Sequence, residues 1–265
     1  MIPLHDDNPT RIFPVLTVTF IAVCILVFLW QASLGSQGYQ ASVYALGVIP
    51  AVLLNKATLP AELAVVPPTV TVFTSMFLHG GFMHLAGNML YLWIFGNNVE
   101  DAMGHTRFIV FYLLCGVAAV FGQVLQDPGS QIPMIGASGA ISGVLGAYLI
   151  LYPRARVLVL IPLGFFMQLI RLPALWVLGL WFVMQLISSA LTSSEGGGVA
   201  WFAHIGGFVA GMALIPFFKT GNVTLFHKAH GSKRLSRRVS RWPQQDGQHN
   251  QLEDAYKRWL KRSRH

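Results

Sequence analysis

The sequence predicts an all-α, polytopic membrane protein with six transmembrane helices, and three observations carry that expectation. Hydrophobic residues make up 54% of the chain and charged residues 11%, with a mean hydropathy of +0.57, far from the balance of a soluble domain of this length. Several apolar stretches approach the roughly 20 residues that a helix needs to cross the hydrocarbon core. The basic residues are distributed very unevenly over the segments between those stretches.

The spans fall at 12–33, 82–99, 107–125, 138–152, 172–191 and 201–219. The first is long for the apolar core of a signal peptide and ends without a convincing small-residue cleavage site, so it reads as an uncleaved helix. Segment 157–170 is also apolar, but Pro162 and Gly164 interrupt it, and its length suits an interfacial or buried piece. If it does not cross, both termini share one side with Arg11, Arg107, Arg154, Arg156, Arg171 and the basic C-terminal segment. Of the 18 Lys and Arg residues only Lys56 then lies opposite. The positive-inside rule makes that side cytoplasmic, and a bacterial inner (plasma) membrane is the expected location.

Three parts follow: a short cytoplasmic N-terminus (1–11), the membrane domain (12–219) and a basic, flexible cytoplasmic tail (220–265). From Lys219 onward the chain carries 12 basic residues against three acids, a net charge of +9 that exceeds the +8 of the whole chain. A basic stretch directly after a span attracts anionic lipid and fixes orientation. No aromatic interleaving or recognisable module accompanies the charge, so nucleic acid is not an expected partner. Leu252 to Leu260 shows some helical spacing of apolar residues and suits the membrane surface. The connection from Leu34 to Val70 is long and still hydrophobic, with Leu46 to Leu54 suited to lying partly in the bilayer. Backbone at that depth needs protein partners, so a structured lateral loop is expected. Cys24 and Cys115 both fall inside apolar runs and form no disulfide or metal framework.

Three polar islands interrupt the apolar background: His79-Gly80-Gly81-Phe82-Met83-His84-Leu85-Ala86-Gly87-Asn88, Gly136-Ala137-Ser138-Gly139-Ala140, and Ala203-His204-Ile205-Gly206-Gly207 with Gly211 beyond it. The second, fourth and sixth spans run in the same direction, so His84, Asn88, Ser138 and His204 all lie near the outer ends of their helices. A crossing at 157–170 would have put His204 at the opposite face. Ser138 opens a short span, and a helix N-terminus offers free N–H groups and positive dipole to an anion. Gly136 and Gly139 let backbone or substrate approach the serine closely.

Gly139 and Gly143, and Ala203, Gly207 and Gly211, form small-xxx-small rows that permit close helix approach. Such rows, and a serine among small residues, also serve ordinary packing, but packing does not explain His204 beside the contact. Neutral imidazole is a suitable base for a serine near neutral pH. No acidic residue lies in the outer half of these spans, so the pattern points to a Ser-His dyad without a third carboxylate. His84 and Asn88 are four residues apart on one helix face, positioned to supply side-chain oxyanion donors, while His79 lies before the span. There is no Glu between the histidines and no third ligand at a recognisable spacing, so no metal is expected.

These three motifs, in this order on the second, fourth and sixth spans, resemble the rhomboid family of intramembrane serine proteases over roughly residues 10 to 220. The resemblance implies a rhomboid-like bundle of six helices with a water-filled cavity open to the outside. There a peptide bond in or near the transmembrane segment of a single-span or other membrane-protein substrate would be cleaved. It implies Ser138 as nucleophile, His204 as general base, and Asn88, His84 and the Ser138 N–H as oxyanion donors, with no cofactor. It makes His79 an organiser of the loop above the site. Two features depart from the family. The first outer loop lacks the Trp-Arg pair of some members, and Ser142 stands where some place an aromatic residue against the catalytic histidine, so stacking on His204 has to come from elsewhere. The competing reading is a non-hydrolytic rhomboid-like protein that binds transmembrane helices, which would be expected to lack the serine or the base. A six-span transporter would show matching internal repeats, which this chain lacks.

Overall fold

The computed structural model describes residues 1–163, 166–191 and 200–227, with Leu163 described in its backbone only. The greater part of the tail, including Leu252 to Leu260, lies outside the described residues. Among the described residues, four helices are long and apolar enough to cross a membrane: α1 (Val15–Ser33), α7 (His105–Gln126), α9 (Ala174–Leu191) and α10 (Trp201–Phe218). Helix α8 (Ser138–Leu151) is shorter and apolar. The stretch expected to span at 82–99 is a continuous run of α5 (Phe82–Tyr91), a π-helical segment (Leu92–Gly96) and α6 (Asn97–Met103).

Between α1 and this run, the chain from residue 34 to 77 is built of α2 (Gly35–Leu46), α3 (Pro50–Leu53), α4 (Pro68–Thr74) and a 3₁₀ turn (Ser75–Phe77). Val48 and Met134 exchange backbone hydrogen bonds of 3.0 and 2.7 Å, and the Ala51 N–H donates to the Ser130 carbonyl at 2.9 Å. These bonds satisfy the polar backbone of an apolar loop against the segment that leads into α8, which is the structured connection expected.

The all-α expectation needs correction, because the described residues include a three-stranded antiparallel sheet. Segment 157–170 is a hairpin of β2 (Arg156–Leu163) and β3 (Phe166–Pro173), and β1 (Ile2–Asp6) pairs with the other edge of β2, with Ile2 opposite Leu160. Val157 and Val159 are fully buried while Leu158 and Leu160, which alternate with them, are not, the period-two pattern of a strand with one face on the core. Length and the Pro162 break rule out a spanning helix here, but apolar length alone does not distinguish a buried coil from a strand.

The core runs along α8, which packs against α7 on one side and α10 on the other. A Cβ on Gly207 would overlap the Gly139 carbonyl oxygen, and one on Gly211 would overlap the Gly143 carbonyl oxygen. The partners advance together along both helices, so α8 and α10 run parallel at a separation that only glycine allows. Gly139 also faces Ala119 of α7, where an added Cβ would come within 2.6 Å of the alanine methyl. Cys24 and Cys115 are buried free thiols.

At the other end of the bundle, acids from α6 hold the start of α1. The fully buried Glu100 carboxylate accepts from the Leu16 N–H (2.9 Å), the Thr17 N–H (2.8 Å) and the Thr17 hydroxyl (2.7 Å), with His105 Nδ1 at 2.6 Å. Asp101 accepts from the Arg11 and Ile12 N–H groups at 2.9 Å each. A carboxylate against the free N–H groups of a helix start satisfies both charge and dipole. The first residues of the expected tail are held here too, since the Thr220 N–H donates to the Ala102 carbonyl at 2.9 Å and the Phe226 N–H to Ile150 at 2.8 Å.

Strand β1 is tied in by Asp6, which is 5% exposed and accepts from the Tyr148 hydroxyl (2.6 Å) and the Asn98 amide (3.0 Å). Burial pushes its carboxyl up from 3.8 to about 6, against the opposing pull of the Tyr148 hydrogen bond. An acid whose pKa is raised by folding binds its proton more tightly in the folded state. Its effect is absent below about pH 4, and it lowers stability as pH rises to about 6, by on the order of 2 to 3 kcal/mol. The difference in stability between the wild type and Asp6→Asn is expected to change over that interval and to level off above it, measured by denaturation in detergent at a series of pH values. A difference independent of pH would show that Asp6 titrates normally. At the glycine contact, Gly211→Ala is expected to cost about 1–3 kcal/mol or more by overpacking, read as a lowered melting temperature. Gly179→Ala in α9, where an added Cβ meets nothing within 4 Å, is expected to leave melting unchanged or raise it slightly.

Candidate functional site

The parallel packing of α8 against α10 sets the site. Ser138 is the first residue of α8 and His204 lies in the first turn of α10, so the close glycine contact brings their side chains together. His204 Nε2 is 2.8 Å from Ser138 Oγ. His204 Nδ1 is 2.8 Å from Oε1 of Gln185, on α9. The indole rings of Trp181 and Trp201 lie 6.0 and 6.2 Å from the imidazole, centroid to centroid. These two rings supply the aromatic surroundings that Ser142 does not, for Ser142 instead donates its hydroxyl to the Ser138 carbonyl at 2.6 Å.

The turn before α8 explains Gly136. Its φ of +122° favours glycine, its N–H donates to the Ser75 carbonyl at 2.9 Å, and a Cβ there would come within 2.8 Å of the His84 ring. The His84 imidazole therefore lies directly against the segment that leads into Ser138. The Gly80 N–H donates to His84 Nδ1 at 3.2 Å. In a neutral imidazole the accepting nitrogen carries no proton, so His84 Nε2–H is left as a donor.

Asn88 follows one turn along α5 and is 7% exposed. Its amide Nδ2 is buried without a hydrogen-bond partner among the described residues. Both Asn88 and His84 line a cavity of about 720 Å³ together with Ser138, His204, Gln185 and Tyr91. Gln123 also lines it with a buried Oε1 that has no partner among the described residues. An amide donor without a partner costs about 1–3 kcal/mol when buried, a cost that an acceptor in the cavity would offset.

His79 is placed differently. It is fully buried, its N–H donates to Gln31 Oε1 at 3.1 Å, its carbonyl accepts from the Tyr39 hydroxyl, and its ring Nδ1 is 3.2 Å from the Phe77 carbonyl. Burial pushes its imidazole down to about 4, helped by the nearby His84, so it is neutral at physiological pH. Its bonds tie α1 and α2 to the start of α5, and it does not line the cavity. Gly139, Gly207 and Gly211 lie in the contact between α8 and α10 and its junction with α7.

Sequence reasoning missed Gln185, Trp181, Trp201 and Gln123. A signal for the first was present, since Gln185 is the only amide or charged residue between Ala174 and Leu191, and an amide in an apolar helix asks for a partner. Nothing in α9 alone shows that the partner is His204.

Comparison with known proteins adds a family. Residues 67–220, more than half of the chain, match the Rhomboid domain. The chain is 34% identical over 136 residues to Rhomboid protease GluP of Bacillus subtilis, covering 51% of this chain and 24% of that protein. It is 32% identical over 96 residues to Rhomboid protein 1, mitochondrial, of Saccharomyces cerevisiae, covering 35% and 28%. To the Presenilin-associated rhomboid-like protein, mitochondrial, of Bos taurus it is 34% identical over 88 residues, covering 32% and 23%. The chain thus spans about a quarter of the length of these relatives. The match takes in all three polar islands, and the chain belongs to the rhomboid family.

Proposed function

We propose that this protein is an intramembrane serine endopeptidase, hydrolysing a peptide bond in or near the transmembrane segment of membrane-protein substrates through a Ser138–His204 dyad. The observation that carries the reading is the 2.8 Å approach of His204 Nε2 to Ser138 Oγ in the wall of a cavity. A relative named as a rhomboid protease adds support.

The reaction is acyl transfer in two steps. His204 takes the hydroxyl proton as Ser138 Oγ attacks the scissile carbonyl carbon. The developing oxyanion accepts hydrogen bonds from Asn88 Nδ2, His84 Nε2 and the N–H groups of the first turn of α8. The tetrahedral intermediate collapses as His204 returns the proton to the leaving amine, and the acyl group stays on Ser138. Water, deprotonated by His204, then attacks the ester and frees the serine. The cavity is the route by which water reaches a serine that begins a buried helix.

The proposal includes the orientation. On this reading the chain crosses a bacterial inner membrane six times, by α1, the α5–α6 run, α7, α8, α9 and α10, with both termini in the cytoplasm and Ser138 toward the outer face. The positive charge of the tail sequence would then favour anionic lipid of the cytoplasmic leaflet.

Ser138→Ala and His204→Ala are each expected to abolish cleavage of a single-span substrate by the purified protein in detergent while leaving melting behaviour largely intact. Because the two act as a unit, the double variant is expected to be hardly worse than either single one. Near-full turnover by Ser138→Ala would overturn the protease reading, and substrate retained without any new fragment would favour a helix-binding protein. Asn88→Ala is expected to lower kcat by roughly 10²- to 10³-fold with little change in KM. A collapsed melting transition in that variant would assign Asn88 to the fold instead.

A further inference from the structure

We infer that Gln185 is a positioning residue for His204, acting through it to fix the imidazole tautomer that leaves Nε2 free to accept the Ser138 proton. This inference rests on the protease reading of the same site.

Gln185 is 7% exposed, and its two polar atoms have separate partners: Nε2 donates to the Trp181 carbonyl, one turn earlier in α9, at 3.4 Å, and Oε1 faces His204 Nδ1 at 2.8 Å. A carbonyl can only accept, so the NH₂ end of the amide belongs on Trp181 and the oxygen is left facing the histidine. An amide oxygen can only accept in turn, so Nδ1 must carry the proton. A neutral imidazole has one N–H, and with Nδ1 protonated, Nε2 presents its lone pair to Ser138 Oγ at 2.8 Å. The opposite tautomer would set an Nδ1 lone pair against the Gln185 oxygen and aim an N–H at the serine, which then could not give up its proton to the ring.

The ring is also held in angle. Trp181, one turn before Gln185 on the same helix, and Trp201 at the start of α10 both border it. Trp181 further touches Phe208, one turn beyond His204, at 5.9 Å, and Phe182 stacks on Phe208 at 4.5 Å. Helix α9 therefore meets this face of α10 with an aromatic contact on either side of one polar contact. An amide in an otherwise apolar segment is costly to bury, and here the histidine supplies the partner that offsets the cost. A neutral acceptor orients the base as the carboxylate does in a Ser-His-Asp triad and as the amide does in a Cys-His-Asn site.

Two substitutions at one position separate positioning from packing. Gln185→Met conserves volume and removes the acceptor. Gln185→Glu keeps an acceptor but buries a charge. If Gln185 positions the base, Gln185→Met is expected to lose roughly 10- to 100-fold in kcat with KM unchanged, and Gln185→Glu to retain most of the activity. If it only packs, the order reverses, because methionine fits an apolar helix contact and glutamate does not, and that order would overturn the inference. The ¹⁵N shifts of His204 read the tautomer without reference to turnover. Protonation at Nδ1 in the wild-type protein, giving way to a mixture in Gln185→Met, is the expected result, and an unprotonated Nδ1 in the wild type would also overturn it. Failure of the protease reading shows itself separately, as absence of Ser138-dependent cleavage by the unaltered protein, and a positioning role for Gln185 falls with it.

Discussion

The contact between α8 and α10 is the constraint on which the rest depends. In lipid, apolar side chains gain little by meeting one another, because the acyl chains are as apolar as leucine. Close van der Waals approach and hydrogen bonds across helices decide the packing instead. Here the approach is so close that the Gly139 and Gly143 carbonyls occupy the space where side chains at 207 and 211 would begin. That separation, with the two helices parallel, is what carries the His204 imidazole to 2.8 Å from the Ser138 hydroxyl. One added methyl group on the shared face would move the proposed base away from the proposed nucleophile without touching either.

Around this contact the buried polar groups divide into two kinds. Glu100 is saturated by the N–H groups that open α1 and Asp6 is held by Tyr148 and Asn98, while His79 is held by Gln31, Tyr39 and Phe77 although its ring Nε2 has no partner among the described residues. Each of these ties together segments distant in sequence. Asn88 differs in its place, for it lines the cavity that Ser138 also lines, and its buried Nδ2 has no partner among the described residues. A bonded group of this sort stabilises the fold, whereas an unpartnered donor is a standing cost that an incoming carbonyl oxygen would relieve. Under the proposed function that relief is greatest in the transition state, where the oxygen carries negative charge.

The sheet of β1, β2 and β3 and the α6 carboxylates belong to the opposite end of the helices from the proposed site. They secure the N-terminal segment and the start of α1, while the loop helices and His79 secure the end that carries Ser138. Helix α9 reaches the site through Gln185 and the two aromatic contacts beside it.

The amino-acid sequence by itself determined the positions of the apolar helices, because hydrophobic length and the Pro162 break are local properties. It also determined that Ser138, His204, His84 and Asn88 are polar islands in three separate helices, with glycine rows beside two of them. The tertiary structure alone decided the rest. That Ile2–Asp6 pairs with β2 depends on bringing together residues about 150 positions apart, which no local pattern encodes. The role of Glu100 depends on the start of α1 arriving above α6, and the aromatic surroundings of His204 come from Trp181 and Trp201 in place of the position four residues after Ser138. Gln185 was visible as a polar residue in an apolar helix, but which group it faces is set by the rotation of α9 against α10. Side-chain chemistry is written residue by residue, whereas a partner across helices exists only once packing has fixed distance, direction and rotation together.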